Sequence, residues 1–141
     1  MERAAKTGIG VYAVSLGELQ MVAVVVLNAL GDIFDPRTGE KIAGVKAEDG
    51  KGFGDTREMM YRLFTPTDLF TGEQKLPNSN TTIGAVITNG KFSKAELTKI
   101  ASMTRCAYSR CINPVATMAD GDSIYAVSAG CLLYTSDAAD E

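Results

Sequence analysis

The stretch Gln20-Met21-Val22-Ala23-Val24-Val25-Val26-Leu27-Asn28 limits the fold more than any other part of the chain. It is apolar at nearly every position and rich in valine, so it reads as a strand buried on both faces. Residues 8–16 alternate loosely and carry Val, Ile and Tyr, which predicts a second strand, and Leu16-Gly17-Glu18-Leu19 supplies the turn between the two. The apolar run from Met21 to Leu27 is too short to cross a bilayer. Arg3 and Lys6 faintly suggest a signal peptide, but the strand pattern of residues 8–15 argues against one, and cytoplasm is the expected compartment.

At 141 residues the chain suits one domain, expected over residues 1–130 with a mixed α/β (α+β) fold. A composition of 45% hydrophobic and 22% charged residues is ordinary for a soluble globular protein. The net charge of -3 and the scattered basic residues predict neither a nucleic-acid partner nor a membrane one. The chain has no histidine, which excludes a Ser-His-Asp or Cys-His arrangement within it and removes the commonest zinc ligand. Hydrolytic chemistry would take its base from a lysine, a carboxylate or an α-amine, the last titrating at about 7.7–8.0. Cys106, Cys111 and Cys131 form no C-x-x-C pair and read as reduced, half-buried residues, and no cofactor or metal is expected.

Asp35-Pro36-Arg37-Thr38-Gly39 is a turn signal, since proline presets φ and glycine supplies a positive one. Lys41 to Val45 suits a short edge strand, and Gly50-Lys51-Gly52-Phe53-Gly54 a loop without phosphate-binding spacing. Thr56 to Phe64 suits a helical turn, and the weakly periodic remainder to residue 80 a long mobile loop. Beyond the strand that starts at Thr81, Asn89-Gly90 predicts a turn. Ser93-Lys94-Ala95-Glu96 is then a capping box. Leu97, Ile100, Ala101, Thr104, Ala107 and Cys111 follow at helical spacing as one buried face, and Asn113-Pro114 closes the helix. Asp120-Gly121-Asp122 leads into a strand over Ser123 to Ser128. Residues 131–141 resemble a sequencing-library adapter translated in one frame, so they are expected to be an artefact, with the natural chain continuing past Gly130.

The functional signal lies where the polar run Pro77-Asn78-Ser79-Asn80 meets the apolar strand Thr81-Thr82-Ile83-Gly84-Ala85-Val86-Ile87-Thr88. Three readings are open there. Asn and Ser favour an ordinary turn. Asn80-Thr81-Thr82 fits the N-glycosylation pattern. Self-cleavage between Asn80 and Thr81 would set the Thr81 hydroxyl beside its own free α-amine, an arrangement that activates a weak nucleophile. The lack of histidine raises the third reading. Asp120-Gly121-Asp122 is open in the same way: a turn, a calcium-binding pair, or carboxylates that orient and stabilise the ammonium of Thr81. Asn28 suits a structural cap, since a polar amide ending an apolar run must find partners.

The order of these elements resembles the self-processing aminopeptidases typified by L-aminopeptidase D-amidase/esterase, a family that includes β-aminopeptidases and 6-aminohexanoate-oligomer hydrolases. The resemblance covers roughly residues 6–130. It rests on Val25 to Asp32, Asn80-Thr81-Thr82-Ile83 and Asp120-Gly121-Asp122-Ser123-Ile124-Tyr125-Ala126, with a capped helix between the last two. It implies a fragment of a four-layer α/β/β/α sandwich of the type shared with ornithine acetyltransferase. It implies cleavage between Asn80 and Thr81 into two polypeptides that stay together, with Thr81 as nucleophile and Asn28 contributing to the oxyanion hole. Asp120 and Asp122 match the acidic pair of the nylon-oligomer branch. Lys6 matches a lysine before a glycine-rich strand, with Thr7 where the family carries glycine. The implied activity is that of an N-terminal-threonine amidohydrolase on small peptides or amides with a free amino end, working as a homo-oligomer of processed units. The alternatives are ornithine acetyltransferase-like acyl transfer, which the Asn80-Thr81-Thr82 context favours less, and an inactive truncated fragment.

Overall fold

The computed structural model describes Ala5 and residues 7–63 and 80–132. Strands β1 (Ile9–Leu16) and β2 (Leu19–Val26) form an antiparallel hairpin in which Ile9 lies opposite Val26 and Leu16 opposite Leu19. Gly17, at φ 57, supplies the left-handed residue that the tight turn needs. A second hairpin joins β3 (Asp32–Phe34) to β4 (Lys41–Ala43) around the expected Asp35–Gly39 turn, where Gly39 has φ 75 and its amide donates to the Asp35 carbonyl at 2.8 Å. Helix α1 (Thr56–Leu63) follows. Strand β5 (Ile83–Gly90), helix α2 (Lys94–Cys111), the short β6 (Ile112–Asn113) and β7 (Ser123–Leu132) complete the order.

One sheet has the order β1-β2-β5-β7 and the other β4-β3-β6. β5 pairs antiparallel with β2 and parallel with β7, with Ile83 opposite Ser123. A parallel pair needs a crossover, and α2 provides it. The helix starts where the sequence places it: Ser93 accepts from the Glu96 amide, and the Glu96 carboxylate accepts from the Ser93 amide at 2.7 Å. α2 packs along β7 and reaches β5 through Tyr108, whose hydroxyl lies over Gly84. Side chains alternate across a strand, so Gly84, Val86, Thr88 and Gly90 are buried on the helix side, while Ile83 and Ile87 point to the other. That other face joins them to Ile9, Val11, Val26, Tyr125 and Val127, and it is uncovered: Ile9 is 71%, Val11 65% and Tyr125 60% exposed.

Several expectations are corrected here. Strand β2 is half-buried between β1 and β5 rather than buried on both faces, because α2 packs along β7 and reaches β5 and leaves the β1–β2 side of the sheet thinly covered. Asn89-Gly90 does not turn but ends β5; the Asn89 side chain accepts from the Gln20 amide at 2.8 Å and donates to the Glu18 carbonyl at 2.9 Å, tying the β1–β2 hairpin to β5. On α2, Ala107 is exposed and Tyr108 takes the buried place. Cys106 is exposed and Cys111 half-buried. The Cys131 side chain, the segment 64–79 and residues 133–141 lie outside the described residues. The long loop and the adapter-like tail therefore stand only as expectations. Among the described residues no helix is long and apolar enough to cross a membrane.

Candidate active site

The residues singled out in the sequence converge at the entrance to β5. Asn80 and Asp120 form a parallel bridge that extends the β5–β7 pairing past the strand ends. The peptide between Asn80 and Thr81 is held at both polar atoms. Its amide, on Thr81, donates to the backbone carbonyl of Asn28 at 2.8 Å. Its carbonyl, on Asn80, accepts from the Gly121 amide at 3.1 Å and from Thr81 Oγ1 at 2.7 Å. The hydroxyl expected to act as nucleophile thus rests on the carbonyl group of the bond expected to break.

The next peptide is pinned as well. Asp122 Oδ1 accepts from the Thr82 amide at 2.7 Å, and the Ser123 amide donates to the Thr82 carbonyl at 3.0 Å. Asp120 works on the other flank, where Oδ2 accepts from the Thr117 amide at 3.0 Å and its hydroxyl at 2.7 Å, and Oδ1 from the Leu30 amide at 3.4 Å. The acidic pair therefore clamps the loops around Thr81; these hydrogen bonds run to Leu30, Thr117 and Thr82, not to Thr81 itself. Among the described residues no three acidic or thiol groups gather as a metal-ligating set.

Thr81 and Thr82 face opposite ways. Thr82 is fully buried on the helix side, where its hydroxyl has no hydrogen-bond partner among the described residues. Tyr108, whose hydroxyl lies over Gly84, also has a hydroxyl with no hydrogen-bond partner among the described residues. Burial pushes the Tyr108 phenol above its ordinary pKa, and the nearby Asp122 carboxylate adds to the shift. A cavity of about 270 Å³ opens beyond, lined by Ala101, Ser102, Arg105, Tyr108, Asp122 and Ile124.

The loop after Asn28 is fixed from below by Asp32. This carboxylate, 2% exposed, pairs with Lys41 Nζ at 2.8 Å and accepts from the Thr56 amide at 3.0 Å, the Thr56 hydroxyl at 2.7 Å and the Val45 amide at 3.2 Å. Gly31 lies directly against the backbone of Asn113 and Pro114, an approach no side chain would allow.

No family model matches the chain. Curated relatives do. A 6-aminohexanoate-oligomer endohydrolase of Kocuria sp. (strain KY2) is 32% identical over 130 residues, which is 90% of this chain and 34% of the relative. The protein of the same name from Paenarthrobacter ureafaciens is 33% identical over the same shares. An uncharacterized aminopeptidase of Mycobacterium leprae (strain TN) is 31% identical over 94% of this chain and 35% of its own length. The chain is a homologue of these hydrolases. It spans about a third of the length of the curated relatives it matches.

Of the residues expected at the site, Asn28, Asn80, Thr81, Asp120 and Asp122 are brought together, Asn28 meeting Thr81 through its main chain. Lys6 lies outside the described residues. Sequence reasoning missed Gly121, whose amide reaches the Asn80 carbonyl, and Asp32 with its partners. A glycine between two aspartates was the visible signal for the first. For the second it was an aspartate ending the Asn28–Asp32 run.

Proposed function

We propose that the protein of which this chain is part is a self-cleaving N-terminal-threonine amidohydrolase that acts on small peptides or amides with a free amino end. The observation that carries the reading is the Asn80–Thr81 peptide, with Thr81 Oγ1 at 2.7 Å from the carbonyl oxygen of the bond to be cut. Homology to a 6-aminohexanoate-oligomer endohydrolase and to an aminopeptidase supports the same chemistry. After cleavage the α-amine of Thr81 or Lys6 takes the hydroxyl proton, Thr81 Oγ attacks the substrate carbonyl, and water releases the acyl-enzyme. Asn28 and backbone amides hold the oxyanion. Asp120 and Asp122 keep the flanking loops in place and supply negative charge for the new ammonium of Thr81.

In the whole protein the uncovered sheet face packs on a second sheet, giving the four-layer α/β/β/α sandwich. Support comes from the continuous apolar surface of Ile9, Val11, Ile83, Ile87, Tyr125 and Val127, an area that a soluble domain rarely leaves open. Processed two-chain units then associate as a cytoplasmic homo-oligomer.

The test is an intact mass spectrum of the chain, without residues 131–141, beside its Thr81→Ala variant. Two masses that split between Asn80 and Thr81, and a single mass for Thr81→Ala, are expected. A folded wild-type chain that stays whole refutes the reading.

A further inference from the structure

The Asn80 carbonyl oxygen accepts two hydrogen bonds, and only one comes from the nucleophile. The other comes from the main chain of Gly121 at 3.1 Å. A Cβ at Gly121 would stand 2.9 Å from Thr81 Oγ1, 3.7 Å from its Cγ2 and 3.8 Å from its Cβ. Gly121 therefore touches the bond to be cut in two ways: it donates to the carbonyl, and it leaves the hydroxyl its room.

We infer that Gly121 is a catalytic residue of the self-cleavage step, its backbone N–H serving as oxyanion donor and its missing side chain keeping Thr81 Oγ against the Asn80 carbonyl. The inference rests on the self-processing reading above and adds to it the group that stabilises the intermediate. In the first step Thr81 Oγ bonds to the Asn80 carbonyl carbon, and the C=O electron pair moves onto the oxygen that faces Gly121. The C–N bond then breaks as the pair returns. The hydroxyl proton ends on the Thr81 nitrogen, which leaves an ester to Oγ and a free α-amine. Water hydrolyses that ester, giving the Asn80 carboxylate and restoring the Thr81 hydroxyl. Negative charge develops only on the Asn80 oxygen, so a preorganised donor there lowers the barrier. The Asn28 carbonyl accepts from the Thr81 amide at 2.8 Å and so holds the nitrogen that leaves.

Two perturbations separate the roles. Replacing Gly121 by glycolic acid through chemical ligation turns its amide into an ester and deletes the N–H without adding an atom to the side. Cleavage of that uncut chain, followed by intact mass, is expected to slow about 10²–10³-fold, the loss typical of one oxyanion donor. Gly121→Ala keeps the N–H but crowds Oγ1, and it is expected to slow cleavage too; the penalty shrinks when Thr81→Ser removes Cγ2 and frees the hydroxyl to reseat. Independently of any rate, the Gly121 amide of the uncut Thr81→Ala chain is expected to be protected from hydrogen exchange. A glycolyl variant that folds and cuts at the wild-type rate overturns the inference, as does free exchange at Gly121. If neither wild type nor variant is ever cut, the self-processing reading itself has failed.

Discussion

Removing the Asp32 carboxylate should cost far more stability than its place in a three-residue strand suggests. Asp32→Ala strips four donors at once: Lys41 Nζ, the Thr56 amide and hydroxyl, and the Val45 amide. Thr56 is 1% exposed, so its two donors have no route to water. Lys41 is different, since its side chain is 21% exposed and the ammonium partly recovers hydration. Breaking a buried ion pair from one side costs about 3–5 kcal/mol, and the half-wet lysine places this case near about 3 kcal/mol. That is a large share of the roughly 5–15 kcal/mol a domain possesses. With a urea m-value of about 1–3 kcal/mol/M, the midpoint falls by about 1–3 M. Urea titrations followed by far-ultraviolet circular dichroism give the number. Adding Lys41→Met to Asp32→Ala should change stability little further, because the ammonium keeps the Gly54 carbonyl and part of its hydration, while the Thr56 and Val45 donors stay unpaired. A loss below about 1 kcal/mol for Asp32→Ala refutes the reasoning, because it would mean that these donors find other partners.

The remaining predictions concern single groups. Ser93→Ala should lower stability by about 1 kcal/mol in a thermal melt, since it deletes the N-cap acceptor of α2. Tyr108→Phe should be neutral or stabilising by about 1 kcal/mol, unlike most changes at a buried aromatic, because the hydroxyl it removes is buried without a partner among the described residues. Asp55 is held down to about 2, chiefly by the side-chain hydrogen bond from Arg57. Its folded pKa lies below the ordinary 3.8, so its contribution is complete above that value and fades as pH falls toward about 2. Asp55→Asn should flatten that part of a stability-versus-pH curve.

Local signals were legible in the sequence and distant pairings were not. The α2 start could be read because the Ser93–Glu96 box is complete within four residues. The buried face was harder, since Ala107 and Tyr108 both fall near the helical stripe and only the approach to Gly84 favours the phenol. Asn89-Gly90 carries strong turn chemistry, yet the pairing of Gly90 with Leu132 on β7 and the Asn89 side-chain bonds to Gln20 and Glu18 keep it in the strand. The candidate site residues Asn28, Thr81, Asp120 and Asp122 were named from short motifs and a family resemblance. What no motif contained was the hydrogen bonding among them, which depends on the parallel pairing of β5 with β7. Asp32 shows the same limit: its partners Lys41, Val45 and Thr56 belong to three separate segments.

On the self-processing reading proposed above, that pairing also decides which of two adjacent threonines can act. With Ile83 opposite Ser123, the alternation sets Thr82 on the helix side with Gly84 and Val86, and Thr81 on the uncovered side next to Gly121. A slip of one residue would exchange their environments. The two hydroxyls should therefore respond in opposite ways to the same change. Thr82→Val replaces a fully buried hydroxyl, unpartnered among the described residues, by a methyl group of similar size and leaves the backbone amide that Asp122 holds. It should fold at least as stably as wild type and still be cut. Thr81→Val keeps the same bulk but removes the oxygen that lies 2.7 Å from the Asn80 carbonyl oxygen, and it should fold and remain one chain. Intact mass and a thermal melt on the two variants compare them directly. Cleavage that survives Thr81→Val but is lost in a folded Thr82→Val would move the nucleophile by one residue and reverse the strand register on which the site depends.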